Sequence, residues 1–436
     1  MLYQLRLAWK SLRRNPVLSL IMVGGIGLGI AVAMTFVAGQ YTMSADPLPH
    51  KSDRLFHVQF DAWDPERSWD RNDPGEPPDQ LTYTDAMALM RSDVPTHHSA
   101  MYRAQVAMIP DDPSQRPSRE MARLCFADFF AMFDVPFRYG SAWDSAADEG
   151  PEAVVVLDAR LNQRLFGGEN SVGRTLRLED REFRIVGVLD VWRPLIRYYD
   201  VSGRPFDTPE SIFVPFHVGR ELELYSAGNS NGWKTERIES FAQYLTSEVI
   251  WLQFWAQLDD DAARADYDAF LGAYALEQQQ AGRVSRPQNT RVRALMPWLR
   301  HEEVVPEEAA ALMIIALMFL LVCSVNLIGI LLGKFVAAAP EQSIRRALGA
   351  SRRWVFVQYL LECELIGVAG GLLGLALTVV GLRMAGRLFD DPEMIRLDWN
   401  MFFLGVGLAL LSALVAGIYP AWRVCRISPG IYLKSQ

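Results

Sequence analysis

Few residues in this chain have the types and spacing that enzymatic chemistry requires. Gly329, Gly333 and Lys334 resemble part of a phosphate-binding P-loop, but their spacing is too short and no Ser or Thr follows the lysine. Neither a GxSxG nucleophile motif nor an HExxH zinc motif occurs in the 436 residues. The pattern therefore predicts a chain that is not an enzyme by itself and binds no cofactor of its own.

Two clusters have residue types that can ligate metal ions. His97 and His98 are adjacent, so in a strand they would point to opposite faces, and the sequence offers no further ligand beside them. Asp259, Asp260 and Asp261 lack the glycine and the distal glutamate of an EF-hand loop. An aspartate there is suited to capping the helix that follows. We therefore predict no metal site.

The stretch 337–366 has the pattern of a small rigid element between two apolar runs. Pro340 suits the first turn of a helix, and Glu341 complements the positive end of the helix dipole. Gly349 can end that helix in the left-handed conformation, and Ser351 can cap the next helix. The pattern predicts a short basic helix across the mouth of two membrane spans. The alternative is a solvated positive loop that only sets membrane topology.

Four apolar runs determine the domain organisation. Half of the chain is hydrophobic, and each run is long enough, at roughly 20 residues, to cross a membrane. We predict an amphipathic cytoplasmic interface helix at 1–16, spans at 17–39, 309–333, 355–384 and 401–418, an outer domain at 40–308, a cytoplasmic loop at 334–354, a short outer loop at 385–400 and a cytoplasmic tail at 419–436.

The charge is distributed unevenly along the chain. Residues 1–16, 334–355 and 423–436 carry +4, +4 and +3, which leaves −19 for the rest of a chain whose net charge is −8. Short basic segments beside the spans and an acidic bulk are typical of the positive-inside arrangement, so we predict cytoplasmic termini and an outer domain on the opposite side of the membrane. Because the basic groups lie at membrane edges, nucleic-acid binding is not expected.

The predicted outer domain mixes strand and helix patterns. We predict strands at 55–60, 101–109, 153–157, 175–178, 183–188 and 212–215, and helices at 84–90, 128–133, 158–165 and 262–280. Residues 65–78 are charged and turn-rich, which predicts an exposed loop. The predicted fold class is a membrane α-helical protein with four transmembrane helices and a large extracytoplasmic α+β domain between helices 1 and 2.

Tryptophans in the outer domain allow two interpretations. Such large amphipathic side chains can line a surface for a partner, or they can pack in the core and between strands. The residues concerned are Trp63, Trp69, Trp192, Trp233, Trp251 and Trp255. We expect most of them in the core.

Several stretches resemble the MacB/FtsX-type ABC transporter permeases, the type VII or mechanotransmission family. EQSIRRALGASRR at 341–353, followed by an apolar helix, resembles the cytoplasmic loop whose coupling helix docks on an ATPase subunit. The outer domain resembles the family's periplasmic core domain in ADFFAMF at 127–133, EAVVVLDARLNQRLFGG at 152–168, VGRTLRL at 172–178 and FRIVGV at 183–188. Gln342 and Cys425 depart from the residue types that are usual in the family.

The resemblance implies that a set of loop residues couples the permease to the ATPase: Glu341, Ile344, Arg345, Arg346, Ala347, Leu348, Gly349, Ala350 and Ser351. The implied partners are ABC ATPase subunits, which hold the ATP and Mg, a second permease (the same chain or a sister), a periplasmic adaptor, and membrane lipid. The implied core domain has two subdomains, one inserted in the other, and the chain returns to the first near 251–280.

The resemblance implies efflux through an adaptor and an outer-membrane duct, driven from the bacterial inner membrane. Two alternatives share this plan. A lipoprotein-sorting permease would extract a lipid-anchored cargo, whereas a signalling permease of the FtsX type would transport nothing. The sequence does not identify a substrate.

Three polar residues of the spans are candidate functional groups. Asn326 is the strongly polar residue of the second span, and a buried amide in lipid usually has a partner on a neighbouring helix. Glu362 and Glu364 lie near the cytoplasmic start of the third span. At this depth they are expected to reach headgroup water or the guanidinium groups of Arg352 and Arg353.

Overall fold

The chain divides into two compact units. The structure, a computed structural model, describes residues 2–110, 116–150, 152–387 and 398–426. The first unit comprises the chain up to Ala45 and again from Val305 onward, and the second comprises Asp46–Val304. We call them the membrane unit and the outer unit. The outer unit is therefore an insertion in the sequence of the membrane unit.

The described helices are α1 (Leu2–Arg14), α2 (Pro16–Ser44), α3 (Tyr83–Leu89), α4 (Asp128–Met132), α5 (Ser145–Glu149), α6 (Ala159–Phe166), α7 (Val218–Glu221), α8 (Phe241–Thr246), α9 (Asp261–Gln280), α10 (Leu295–His301), α11 (Glu307–Ala337), α12 (Ala339–Ala347), α13 (Arg352–Arg387) and α14 (Trp399–Cys425). The described strands are β1 (Leu55–Phe60), β2 (His97–Ile109), β3 (Ser118–Cys125), β4 (Phe137–Gly140), β5 (Val154–Leu157), β6 (Thr175–Leu178), β7 (Arg181–Leu189), β8 (Ile212–Pro215), β9 (Gln253–Gln257) and β10 (Thr290–Ala294).

Four described helices, α2, α11, α13 and α14, are long and apolar enough to cross a membrane. Each contains one of the four predicted spans and extends beyond it at both ends. Residues 419–425, which we expected in the cytoplasmic tail, continue α14 as helix, with Pro420 inside it. Most of the predicted outer loop and tail, at 388–397 and 427–436, lies outside the described residues.

The outer unit is built on a ten-stranded sheet in which the order is β10-β1-β9-β2-β3-β8-β5-β7-β4, with β6 pairing to β2 and β7. The long strand β2 pairs antiparallel with β9 over its first residues and with β3 over the rest. Strand β9 also pairs with β1, so the chain returns beside its first strand after the intervening segment. Buried side chains of α3 and α9, among them Leu89 and Tyr267, belong to the same apolar core as those of β1, β2 and β9.

Six predicted strands and four predicted helices of the outer unit are present, with shifts of a few residues at their ends. The prediction was incomplete, because it lacked β3, β4 and β10, whereas β9 lies in the stretch 251–280 where the family resemblance implied a returning strand. Strand β10 reads TRVRA and carries too few apolar residues to be recognised by pattern. It is a strand because all five of its residues pair antiparallel with β1.

The segment 65–78 is only partly the exposed loop that we predicted. Residues 71–75 are exposed, but Glu76 is buried and forms an ion pair with Arg293 of β10. Gln59 donates a hydrogen bond to the same carboxylate, at 2.9 Å. The end of the loop is therefore fixed against the sheet, because a buried carboxylate requires such partners.

Candidate functional site

Helix α12 is the short basic helix that the sequence predicted between two spans. It begins at Ala339 with Pro340 in its first turn, where a missing backbone N–H leaves no bond unmade. Glu341 lies in the first turn, and Arg345 and Arg346 lie in the last. This arrangement of charges complements the helix dipole.

The end of α12 is a tight C-terminal turn. The backbone N–H of Ala350 donates to the carbonyl of Arg345, and that of Gly349 to the carbonyl of Arg346, both at 3.1 Å. Gly349 has a φ of +104°, a conformation that is open to glycine. Leu348 is the cap residue and not part of the helix, one residue earlier than expected.

Helix α13 follows almost at once. The Ser351 hydroxyl accepts a hydrogen bond from the backbone N–H of Trp354 at 3.2 Å, as the predicted cap requires. Only four residues separate the last residue of α12 from the first of α13, and three of them, Leu348, Gly349 and Ser351, have defined capping roles. Helix α12 is thus joined by short, ordered connections to both α11 and α13.

One face of α12 packs against the rest of the membrane unit. Ala339, Gln342 and Ser343 are buried. Glu341 pairs with Arg14 of α1 at 3.1 Å, and it also pairs with Arg345 at 2.8 Å. These ion pairs are exposed, so each adds little stability by itself. They nevertheless connect α12 to the amphipathic helix α1.

A further contact connects α12 to the last long helix. The guanidinium group of Arg346 donates a hydrogen bond from Nη1 to the backbone carbonyl of Cys425, at 3.3 Å. Cys425 is the last residue of α14. Helix α12 is therefore connected, by contacts or by short chain segments, to α1, α11, α13 and α14.

The opposite face of α12 is apolar and is not covered by the part of the chain that the structure describes. Ile344 is 52% exposed and Leu348 is 83% exposed, and Ala347 between them is also exposed. These positions are three and four residues apart, so they share one side of the helix. A grouped apolar stripe at a helix end is a surface that a protein partner can cover. Arg352 and Arg353 are exposed beside it.

Glu362 lies in a different environment from the one we predicted. It is buried, and it forms an ion pair with Lys334 at the end of α11 instead of reaching Arg352 or Arg353. Its carboxylate also accepts a hydrogen bond from the Ser11 hydroxyl of α1, at 2.8 Å. Packing of α1 and α11 against α13 excludes the water that we expected around this carboxylate.

The other two intramembrane candidates do not join this cluster. Glu364 is half-buried on α13. Asn326 is exposed on α11, so the expected partner on a neighbouring helix of the same chain is not found among the described residues. The sequence did not indicate Lys334 as the partner of Glu362, because the pairing depends on how α11 packs against α13.

The remaining chemical clusters have structural roles. The P-loop-like residues 329–335 lie inside α11 and form no loop. Asp260 caps α9 by accepting a hydrogen bond from the backbone N–H of Ala263 at 2.8 Å, and His97 pairs with Asp128 at 2.9 Å. Within the described ranges, no group of three or more His, Cys, Asp or Glu side chains is placed to hold a metal ion.

Two parts of the chain match known protein families. Residues 19–270 match the family model of the MacB-like periplasmic core domain, and residues 313–429 match that of the FtsX-like permease C-terminal region. The first match alone covers more than half of the chain. The second includes α12 and the Glu362–Lys334 pair.

Curated relatives are long export proteins. The chain is 23% identical over 311 residues to the pyoverdine export ATP-binding/permease protein PvdT of Pseudomonas syringae pv. tomato, covering 71% of this chain and 42% of that protein. It is 21% identical over 339 residues to the macrolide export ATP-binding/permease protein MacB of Syntrophobacter fumaroxidans, covering 71% and 46%. The chain therefore spans less than half the length of these relatives.

Among solved structures, the periplasmic region of MacB from Actinobacillus actinomycetemcomitans aligns with 60% of this chain and 97% of its own, at 11% identity and a TM-score of 0.37. The family assignment depends on the two family models and on the four membrane helices with an α+β unit inserted after the first. The chain belongs to the MacB/FtsX-type ABC transporter permeases, with a MacB-like periplasmic core domain and an FtsX-like C-terminal region.

Proposed function

We propose that this chain is the membrane permease of an ABC transporter and that it converts ATP hydrolysis on an ATP-binding partner into motion of its outer unit. The observation that supports the proposal is the uncovered apolar stripe of Ile344, Ala347 and Leu348 on α12. The helix that carries the stripe is connected to four other helices of the membrane unit. A push on the stripe would be transmitted to them.

ATP and Mg are held by the partner in this proposal, and the permease contributes no residue to hydrolysis. The chain acts beside a second permease, either a copy of itself or a sister chain, in the bacterial inner membrane. Export is favoured over the alternatives, because the relatives described above are named as export proteins. A periplasmic adaptor and an outer-membrane duct would complete the route.

The test is co-purification of the ATP-binding partner. The tagged full chain would be purified in detergent from its own cells, and the eluate would be assayed for Mg-dependent ATP hydrolysis and for a P-loop protein by mass spectrometry. We expect Ile344→Ser/Leu348→Ser to lower co-purified ATPase activity at least tenfold, because an apolar contact is removed from the stripe.

The matched control is Ile344→Leu/Leu348→Ile, which keeps the apolar area and should retain the ATPase. Equal ATPase recovery with the serine and the control variants would show that α12 only sets topology. Recovery of no ATPase with the wild-type chain would contradict the transporter class itself.

A second experiment separates export from its alternatives. The complex would be reconstituted in vesicles, and ATP hydrolysis would be measured with an added lipid-anchored protein and with an added periplasmic extract. Release of the anchored protein indicates lipoprotein sorting. Stimulated hydrolysis by a partner protein without movement of any cargo indicates signalling.

A further inference from the structure

The outer unit contains a cavity that the proposed coupling mechanism does not use. Its volume is about 420 Å³, and its walls include the indole rings of Trp63, Trp69 and Trp233. Cavities of about 300–1,000 Å³ with aromatic walls and a few polar groups are the usual sites for small molecules in proteins. Of the other tryptophans named above, Trp251 and Trp255 are buried in the core and Trp192 is half-buried against it, so fewer of the six lie in the core than we expected.

The loop that forms most of the cavity is held in place from behind. Arg286 donates hydrogen bonds to the carbonyl oxygens of Arg67 and Pro74, both at 3.1 Å. Asn289 donates to the carbonyl of Gly75 at 2.9 Å. Hydrogen bonds from Arg286 and Asn289 therefore fix the loop that forms this wall of the cavity.

Tight turns along the same loop add to its order. Asp61 Oδ1 accepts from the backbone N–H of Trp63 at 3.1 Å, and Asp64 Oδ1 accepts from that of Glu66 at 2.9 Å. Further along, Asp70 Oδ1 accepts a third such bond, from Asn72, at 2.7 Å. Side chains that bond to the backbone two residues on are typical of fixed turns. The positions of Trp63 and Trp69 are thus defined by the loop itself.

The indole rings are arranged to hold a planar molecule. The rings of Trp63 and Trp69 meet at 83° with centroids 4.8 Å apart, so they form two walls of a corner. Trp233 adds a third wall. Its Nε1 is buried and has no hydrogen-bond partner among the described residues. The buried nitrogen faces away from the open side of the cavity, so Trp233 contributes its ring surface and not a hydrogen bond.

The charged groups at the cavity are both acidic and basic. Arg67 and Arg71 line it and are exposed, and neither guanidinium has an ion-pair partner in the described ranges. Asp64 and Glu66 line it as well, but one oxygen of Asp64 is already occupied by a backbone N–H. The two guanidinium groups are the exposed donors of the cavity, and guanidinium groups bind carboxylates and sulfonates through paired N–H bonds.

We propose that this cavity binds small planar aromatic molecules that carry an anionic group. The ring would lie between the indoles of Trp63, Trp69 and Trp233, and the anionic group would be bound by Arg67 and Arg71. The proposal concerns equilibrium binding to the outer unit and does not depend on ATP hydrolysis or on α12.

The test compares three probes that share one ring system and differ in charge: 2-naphthoate, 2-naphthalenemethanol and 2-naphthylmethylammonium. Binding to the detergent-solubilised full chain, without nucleotide, would be measured by equilibrium dialysis against detergent alone. We expect 2-naphthoate to bind at least tenfold more tightly than either other probe. Tighter binding of the ammonium probe would overturn the proposal, because it would indicate a cation cage formed by the indoles and Glu66.

Two variants separate the ring site from the charge site. Arg67→Gln/Arg71→Gln should lower naphthoate affinity at least tenfold, to that of the neutral probe, while Trp63→Leu/Trp69→Leu should weaken all three probes. The control Arg177→Gln changes an exposed arginine of β6 and should change nothing. Unchanged naphthoate binding in the arginine variant would overturn the proposal. Arg67 and Arg71 are exposed and do not support the core, so the arginine variant should fold. Its naphthoate affinity therefore tests the proposal even if the tryptophan variant does not fold.

Discussion

The membrane unit and the outer unit are held together by different kinds of side chain. In the membrane unit, glycines bring the backbones of α2 and α13 together. A Cβ atom added to Gly374 would lie 2.7 Å from Ile30 Cβ and 2.8 Å from the carbonyl oxygen of Gly27. Gly370 is in similarly close contact with Ile26. Small residues therefore determine how closely these two helices approach.

The outer unit packs through large aromatic rings. Phe129 and Phe133 have ring centroids 5.0 Å apart, and Phe133 lies 5.6 Å from Trp255. Tyr199 joins the same group, with its ring 5.4 Å from that of Phe129. All four side chains are fully buried.

The difference follows from the two solvents. In water, a large ring stabilises a core in proportion to the apolar area that it removes from solvent. In lipid this driving force is absent between helices, so close van der Waals packing decides which helices associate. Each unit uses the residue types that its solvent makes effective.

Both units also bury charges. Among its described residues, the membrane unit buries the pair of Lys334 and Glu362, with the Ser11 hydroxyl as the additional donor. The outer unit buries a larger network, in which Arg123 pairs with Asp200 and Glu210, and Arg197 also pairs with Glu210. Burial acts to raise the pKa of Asp200 and Glu210, but the two guanidinium groups hold both below their ordinary values.

The largest effect that we predict is in this network. Arg123→Met would leave Asp200 and Glu210 buried with one guanidinium group, so we expect the outer unit to lose about 3–5 kcal/mol of unfolding free energy. Hydrogen exchange of β3 and β8 in the detergent-solubilised full chain would measure the loss. Adding Asp200→Asn and Glu210→Gln to the variant should restore most of the protection. Unchanged exchange in Arg123→Met would show that the network is not a stabilising element.

A matched pair of glycine substitutions tests the packing of the membrane unit. Gly374→Ala inserts a methyl group against backbone atoms, so we expect the unfolding free energy of the membrane unit to fall by about 1–3 kcal/mol. Gly24→Ala meets no atom within 4 Å and should stabilise α2 by about 0.5–1 kcal/mol. Hydrogen exchange in α2 and α13 would measure the change in stability of both variants. If the two variants lose stability alike, close approach at Gly374 is not what holds the helices together.

A third prediction concerns pH. Burial raises the pKa of Asp79 to about 6, with Asp200 adding to the shift. Burial also raises the pKa of Glu302 to about 7, with Asp79 and Glu76 adding to it. The folded outer unit thus keeps protons that the unfolded chain releases near pH 4. Its unfolding free energy should fall as pH rises from about 4 to about 7.

The variant Asp79→Asn/Glu302→Gln lacks both titrations. The unfolding free energy of the variant, taken relative to that of the wild type, should rise by on the order of 1 kcal/mol from pH 4.5 to pH 7.5. Thermal unfolding followed by tryptophan fluorescence would measure the difference. His57, whose pKa burial lowers to about 3, acts in the opposite direction but equally in both proteins. The charge-matched control Asp180→Asn/Glu182→Gln should show no gain, and an equal gain there would contradict the prediction.

The smallest effect on stability is expected on the surface of α12. Ile344→Ser/Leu348→Ser changes two exposed side chains, so the unfolding free energy should change by no more than about 0.5 kcal/mol. The melting temperature of the full chain would show this. A large loss would indicate that the stripe is covered within the folded protein, and it would weaken the proposal that a partner covers it.

The sequence by itself determined the features that depend on neighbouring residues. Long apolar runs with few charges predicted the four membrane helices, and Pro340, Gly349 and Ser351 predicted the ends of α12 and the start of α13. These signals are local, because capping and left-handed turns involve residues a few positions apart. Alternating apolar residues likewise predicted the strands that carry their own pattern.

Only the tertiary structure decided the features that join distant residues. The pairing of Glu362 with Lys334 and Ser11 spans three helices, and β10 becomes a strand because β1 lies beside it. The cavity between Trp63, Trp69 and Trp233 depends on a loop that meets a segment more than 150 residues further along. No local propensity encodes such contacts, since their energy exists only once the chain has folded.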